Sequence, residues 1–442
     1  MGVTFLIGFG FFTMGLMDPL YDTYVPLFLR RYIASNALVG GIMTLDNVLQ
    51  LLLIPVIAIW SDRTRTRIGR RMPFIVVMLP VSAVLFHFIP VSAAASFWAL
   101  VGLLFVFNIF KTSVRGPVVA LMPDTVPGEF RSEANGVINT MGGLGLIVGT
   151  LVLTRLMTKN EGLPFTVAGL FILLAVIILL LFVRERIARD PSGTLEESAL
   201  AGKSAAEERL PLLKALKMAY SAKENGGDFS ASRILISLFL WFTAYEGVKP
   251  FLGLYMVEVM GVADSNAALA QGVAGISSVM AAIPVGYLAH KVGRRTCIRF
   301  CLCVLAIILV LIPASGAFAI VGGLSARGRF ILFLALMFCY GAFWMGVVVN
   351  SFPMLWQMAN FGTVGVYTGL YYTFSQSAAI LAPPITGAVI DLWDYPGIFI
   401  LGGICMLAAW FVMGSVHSGE VNSAPADARP EETEDGSAWE QS

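Results

Sequence analysis

Charge is what this chain has least of. Asp, Glu, Lys and Arg make up 13% of its 442 residues, where a soluble domain carries about 25%, and that shortage excludes a water-soluble globule. Histidine is almost missing, with three copies in all, and His87 stands alone in an apolar run, where a structural role is expected. Five cysteines (Cys297, Cys301, Cys303, Cys339 and Cys405) lie in apolar stretches without a CxxC pair. That excludes a thiol-redox motif or a cysteine zinc site and leaves them as small packing residues. No nucleophile–base set, metal-ligand spacing or nucleotide loop is present, so neither an enzyme nor a bound cofactor is expected. Gly142, Gly143, Gly145 and Gly149 read as close helix packing rather than phosphate binding. No basic region precedes the first apolar run, so no cleavable signal is visible, and Leu6 breaks the myristoylation pattern. The chain begins almost inside that run, which leaves room for a short missing start. A net charge of +1 gives no reason to expect nucleic acid.

What is abundant is apolar sequence, 57% of the chain. A membrane-spanning helix needs about 20 mainly apolar residues. Twelve such runs are expected, at 3–31, 37–60, 73–90, 96–116, 133–154, 163–184, 233–258, 264–289, 296–317, 329–352, 363–390 and 395–417. The expected fold is an all-α integral membrane protein of two pseudo-symmetric six-helix bundles, 1–184 and 233–417. They are joined by a polar loop, 185–232, and followed by a disordered tail, 418–442, rich in Ala, Pro, Glu and Asp. Within the loop, Leu210–Tyr220 has the pattern of an amphipathic interfacial helix. Of the 29 Lys and Arg, twenty fall on one side of this topology and six on the other. Both termini are therefore expected to be cytoplasmic, in a multi-pass protein of the cell (inner) membrane, with nothing requiring more than a monomer.

Two arginine-rich hairpins recur in corresponding places. The first runs Ala58-Ile-Trp-Ser61-Asp62-Arg63 and, after an insertion, Gly69-Arg70-Arg71. The second runs Gly286-Tyr-Leu-Ala-His290-Lys291-Val-Gly293-Arg294-Arg295, with His290 in the place of Asp62. Such arginines either mark the cytoplasmic side or pair with carboxylates or helix C-termini of the other half and latch a gate. Both hairpins resemble those of the major facilitator superfamily, which implies alternating access around a site between the bundles. The insertion Thr64-Arg-Thr-Arg-Ile-Gly69-Arg70 followed by Pro73-Phe74-Ile75 resembles the glycoside–pentoside–hexuronide:cation symporters, which include the melibiose carriers. Ser61-Asp62-Arg63 and Gly69 to Ile75 are similar to their sucrose-transporter-like branch. So is Arg115-Gly116-Pro117 through Ala120-Leu121 to Asp124, followed by Arg131, Ala134, Asn135 and Gly136.

Ionised groups inside spans cost at least about 2.5–3.5 kcal/mol on insertion scales, so each needs a partner or a task. Asp18 and Asp22 share a face of helix 1 beside Tyr21 and Tyr24, with Pro19 and Pro26 expected to loosen that helix. Asp46, Asn47 and Gln50 lie on helix 2, and Asn108, Lys111 and Arg115 on helix 4. If they converge, three carboxylates face two cations and one can carry a proton, which assigns coupling to Asp18, Asp22, Asp46 and Arg115. The alternative is a set of static ion pairs. In the second half Tyr245, Glu246 and Lys249 lie on helix 7, where Glu246 and Lys249 form a local i,i+3 pair or contact substrate. Trp344 and Asn350 lie on helix 10, and Tyr367, Tyr371, Tyr372, Ser375 and Gln376 on helix 11, as sugar-ring contacts or as packing.

The resemblance to melibiose carriers gives Asp18, in the pattern shared with Tyr21, the role of sugar-hydroxyl acceptor. It places the carriers' two cation-site acids of helix 2 at Gln50 and Ile54, their helix 4 acid at Arg115, their helix 5 arginine at Asn139 and their helix 11 lysine at Phe374. Arg115 in place of an acid argues against a sodium site of that kind. The arginine of plant sucrose carriers falls at Val119, one turn from Arg115. The leading expectation is thus proton-coupled symport of a di- or oligosaccharide, with H+ as the coupling ion. The alternatives are an exporter of amphipathic drugs or lysolipid, and a non-transporting sensor that kept the fold.

Overall fold

The computed structural model describes residues 2–126, 131–183, 185, 229–322, 325–357 and 364–416. Apart from Glu185 and residues 229–232, the loop between the bundles lies outside these residues, as do the expected helix at 210–220 and the tail from 418.

Apolar runs with no water to satisfy their backbones can only fold as helices, and they do. The first bundle comprises α1 (Gly2–Arg30), α2 (Asn36–Arg63), α3 (Met72–Ala95), α4 (Phe97–Thr125), α5 (Arg131–Ile147) and α6 (Leu163–Phe182). The second comprises α7 (Ser230–Val248), α8 (Leu269–Val292), α9 (Arg294–Gly322), α10 (Ala326–Trp356), α11 (Val364–Trp393) and α12 (Pro396–Gly414). Among the described residues eleven helices are long and apolar enough to cross a membrane. The exception, α11, has the length but carries the polar-aromatic stretch noted above. Serines cap three N-termini with their side-chain oxygens, Ser35 on α2, Ser96 on α4 and Ser325 on α10, each satisfying an orphan backbone N–H.

Pro19 and Pro26 do not interrupt α1, which is continuous through both. The expectation that they loosen it is corrected: packing on α5, α6 and α4 holds the helix together through its missing backbone donors. Breaks occur elsewhere. α2 is interrupted at Thr44, α5 continues through a π turn at Val148–Val152, and α7 continues through another at Tyr255–Val259. Such turns re-aim side chains within a span.

Each bundle repeats one pairing scheme. α1 packs on α5 and α2 on α4; α7 packs on α11 and α8 on α10. Between bundles, α2 meets α11, α5 meets α8 and α1 meets the lower turns of α7. The polar part of this interface lies at the end remote from the arginine hairpins. There the Asp391 carboxylate accepts hydrogen bonds from Asn36 N (2.7 Å), Asn36 Nδ2 (2.9 Å), Ser35 Oγ (2.7 Å) and Ala37 N (3.1 Å). Tyr24 donates to Asp264 O at 3.0 Å, and Arg30 pairs with Glu258 at 3.3 Å. Backbones touch there because Gly40 lies against Pro383 and Gly387 against Asn36, where a Cβ on either glycine would collide with main chain. The bundles are clasped at this face.

Candidate functional site: a charged cavity between the bundles

Two compartments sit side by side between the halves, about 280 and 480 Å³ in volume, and Asp18, Asp22, Arg115 and Lys249 border both. The smaller is polar, with Asp46, Asn47, Gln50, Lys111, Glu246 and Gln376 in its wall. The larger is mostly aliphatic and aromatic, with Met14, Leu146, Leu309, Met337, Tyr340 and Trp344.

Helical spacing builds the charged wall. Asp18 and Asp22 are one turn apart on α1, and Lys111 and Arg115 one turn apart on α4, so each pair faces one way. The Lys111 Nζ lies 2.8 Å from Asp18 and 3.9 Å from Asp46. It also sits 4.5 Å above the Tyr21 ring, a cation–π contact. The Tyr21 hydroxyl accepts from Asn108 Nδ2 at 2.8 Å. Tyr21 and Asn108 are both fully buried, so they support Lys111 from within the bundle instead of lining the cavity, which corrects their expected place as substrate contacts. A second correction concerns Lys249. It does not pair with Glu246 on its own helix but with Asp22 of the other half, at 2.8 Å, because the two halves meet between α1 and α7 at that level. Arg115 is exposed to the cavity and, among the described residues, makes no hydrogen bond or ion pair; Glu246 likewise has no cation within 4 Å.

Of the other residues expected at the site, Asn47 borders the polar compartment and donates to Ala379 O across the interface at 3.3 Å. Asn139 and Tyr245 border the larger one, as does Val119, the position noted for the plant carriers' arginine. Tyr245 stacks on Trp344 with ring centres 4.1 Å apart and planes within 2°. Tyr371 and Gln376 border the polar compartment together with Tyr372 and Ser375. Two expected contacts are not at the cavity. Asn350 is buried among α9 and α10, donating to Gly346 O and Cys297 Sγ, and Tyr367 is buried without bordering either compartment. Each faces the inside of its own bundle. Sequence reasoning missed Phe242, Gln271, Ser278 and Tyr340. Tyr340 was within reach, since it precedes Trp344 by one helical turn.

The hairpins are satisfied within their own halves. Arg70 holds Asp124 through Nε at 2.9 Å and Nη2 at 2.5 Å, a bidentate pair that raises the pKa of the guanidinium. Arg71 pairs with Asp62 and, at 3.0 Å, with Asp124. Glu185, just past α6, accepts from Arg71 N at 2.8 Å and Met72 N at 3.4 Å. Gly69 turns the chain there at φ +116°. Arg63 is exposed. In the second hairpin Arg295 donates to Gly414 O at 2.5 Å, Lys291 lies over the Tyr287 ring at 4.7 Å, His290 is exposed, and Gly286 sits in open helix packing. Among the described residues the expected latch between halves is not made: the halves are clasped at the opposite face, and these arginines meet partners beside them.

A two-bundle helical membrane protein with a charged cavity at the interface, clasped at one face, has the architecture of a secondary transporter. The family model of the Major Facilitator Superfamily matches residues 3–383, and the chain belongs to that superfamily: it is a transporter and not an enzyme. Among solved structures it is similar to a point mutant of the nucleoside transporter NupG, with TM-score 0.70, 10% identity, and coverage of 94% of this chain and 100% of that one. It is also similar to a point mutant of the peptide transporter POT in complex with sulfate, at 0.67, 13%, 94% and 94%. A bacterial homologue of the iron transporter ferroportin in an inward-facing state matches at 0.67, 14%, 94% and 98%. At such identities these likenesses carry the fold alone. No curated protein matches the chain in sequence.

Proposed function

We propose that this transporter is a proton-coupled symporter for a di- or oligosaccharide, of the sucrose-transporter-like kind, in a cell membrane with its hairpins and termini cytoplasmic. The observation that carries the reading is the charge balance of the cavity. Four carboxylates (Asp18, Asp22, Asp46 and Glu246) border it against three cations (Lys111, Arg115 and Lys249). Two carboxylates are closely paired, at 2.8 Å each. Asp46, at 3.9 Å from a lysine already held by Asp18, and Glu246, with no cation within 4 Å among the described residues, are the weaker claimants. Asp46, which shares its lysine with Asp18, is the seat this reading gives to a transported proton. The stacked Tyr245–Trp344 pair offers a flat apolar face to a sugar ring, and the free Arg115 fork offers paired donors to its hydroxyls.

In this reading the structure is the cytoplasm-facing state. Protonation and sugar binding on the other face require the Asp391, Glu258 and Asp264 contacts to part, and the hairpin arginines then serve as the joints of the opposite gate. The aliphatic lining of the larger compartment favours a second reading, transport of an amphipathic solute. Uptake into proteoliposomes under an imposed pH gradient, with labelled maltose, sucrose and monosaccharides, separates the two. Symport predicts accumulation of one saccharide that collapses with the pH gradient, and in Asp46→Asn a loss of accumulation of roughly tenfold or more while sugar exchange without a gradient persists. Accumulation that follows sodium and ignores protons overturns the coupling, and an amphipathic substrate displacing every sugar overturns the saccharide.

A further inference from the structure

The two hairpins carry the same Gly-Arg-Arg, but among the described residues only the first meets carboxylates. Around the end of α12, guanidinium groups are gathered from two helices, Arg233 on α7 and Arg294, Arg295 and Arg299 on α9. Arg233 donates to Ser415 O, Arg295 donates to Gly414 O (2.5 Å) and Met413 O (3.4 Å), and Arg299 lies 4.7 Å over the Trp410 ring. Arg294 is the first residue of α9, immediately before Arg295. A helix C-terminus offers about half a negative charge, far short of four cations. No carboxylate among the described residues lies within 4 Å of any of the four. Moreover, Arg294 Nη1 and Arg299 Nε are shut away from water with no acceptor among the described residues. Donors in that position call for an anion.

We infer that this arginine cluster at the end of α12 binds the phosphate of an anionic phospholipid. Phosphate matches the guanidinium fork bidentately and supplies several acceptors at once, which two orphaned N–H groups and two carbonyl-bound arginines can share. A free phosphate ester has the same chemistry. The surroundings favour the lipid, because apolar side chains continue away from the cluster along both helices into the bilayer: Phe300 beside Arg299 on α9 is 59% exposed, and Phe411 beside Trp410 on α12 is 69% exposed. The cluster also stands at the hairpin end of the spans, at headgroup depth, where basic pockets between helices take acidic headgroups. In the first hairpin the equivalent arginines are taken up by Asp62, Asp124 and Glu185, so the site belongs to the second half alone and does not depend on the transported solute.

The test uses the full chain in detergent, with binding read by native mass spectrometry and the thermal unfolding midpoint followed in parallel. Phosphatidylglycerol, phosphatidylcholine and glycerol phosphate are offered separately. The expected result is that phosphatidylglycerol binds and raises the midpoint, while phosphatidylcholine and glycerol phosphate do neither at equal concentration. Arg294→Gln with Arg299→Gln should cost roughly tenfold in phosphatidylglycerol binding, and the two Lys replacements should retain part of it. Arg155→Gln, at the opposite face, should behave as the parent. Equal binding of the two lipids, an unchanged double Gln variant, or equal protection by glycerol phosphate overturns the assignment. A double Gln variant that fails to fold shifts the decision to the lysine pair and the three-ligand comparison, which suffice alone.

Discussion

In the first bundle Arg70 and Arg71 face three carboxylates of their own half, whereas in the second Arg295 faces only the carbonyl end of α12. The same imbalance runs through the cavity. The first bundle contributes Asp18, Asp22, Asp46, Lys111 and Arg115, the second only Glu246 and Lys249 together with aromatic surface. One half thus carries an almost complete ion-pair circuit, and the other carries a platform plus one lysine that reaches across to Asp22. Pseudo-symmetric backbones need not share chemistry: the repeat fixes where helices run, and each half has since filled its own positions. A transporter gains from this asymmetry, because charges that cross the interface are made and broken as the halves rock, while those within a half stay intact.

The sharpest way to break this comparison is to open the circuit of the first half. Lys111→Met leaves Asp18 and Asp46 facing each other without the cation between them. Stranding a buried ion of this kind costs about 3–5 kcal/mol, and the lower end applies because Asp18 is partly open to the cavity. Uptake should fall about a hundredfold and the unfolding midpoint should drop. Asp18→Asn in the same chain should return most of the stability but not the transport. Unimpaired uptake in Lys111→Met would dissolve the distinction between the halves.

How much of this was legible in the sequence depends on which partner a residue chose. Eleven of the twelve expected spans and the facing of Asp18, Asp22, Lys111 and Arg115 follow from apolar length and helical periodicity, which are local. That Lys249 reaches Asp22 rather than Glu246 is not local: an i,i+3 pair on one helix loses to a carboxylate on another helix that the interface brings closer. Tyr21, Asn108 and Asn350 were misplaced for a related reason. A polar residue in a span signals that it avoids lipid, and the bundle interior serves that end as well as the cavity does. Glu185 could not be found from pattern at all, since it lies beyond α6 and meets Arg71 and Met72 only through the packing of α6 on α3.

A smaller effect is expected where the halves clasp. Asp391 holds the start of α2 through four hydrogen bonds, and those to a charged acceptor contribute about 1.5–3 kcal/mol each when buried, less at this exposed site. Asp391→Ala should shift the population roughly tenfold toward the state open at the clasped face. In a background without the five native cysteines, Ser375→Cys in the polar compartment should then react about tenfold faster with a membrane-impermeant thiol reagent added on that side. An unchanged rate would mean that the clasp is held without Asp391, by the Arg30–Glu258 and Tyr24–Asp264 contacts and the close backbone approaches at Gly40 and Gly387.

The smallest effect separates Gly69 from Gly286, the helical glycine that opens the second hairpin, since Gly293, the counterpart of Gly69, also turns the chain at positive φ (+88°). At Gly69 the backbone stands at φ +116° and a Cβ would run into the Glu185 carboxylate. Gly69→Ala therefore introduces left-handed strain of about 1–2 kcal/mol and displaces Glu185 from the Arg71 and Met72 amides. At Gly286 the helix is regular, and a Cβ would find only Val349 Cγ1, at an ordinary 3.8 Å. There alanine adds helix propensity worth up to about 1 kcal/mol, so Gly286→Ala should leave the unfolding midpoint unchanged or raise it slightly. Measured side by side, the first substitution should lower the midpoint and slow uptake while the second does neither. A Gly286→Ala penalty as large as that of Gly69→Ala would mean that the second hairpin also closes against something when the transporter turns over, and that its glycine is kept for the opposite state.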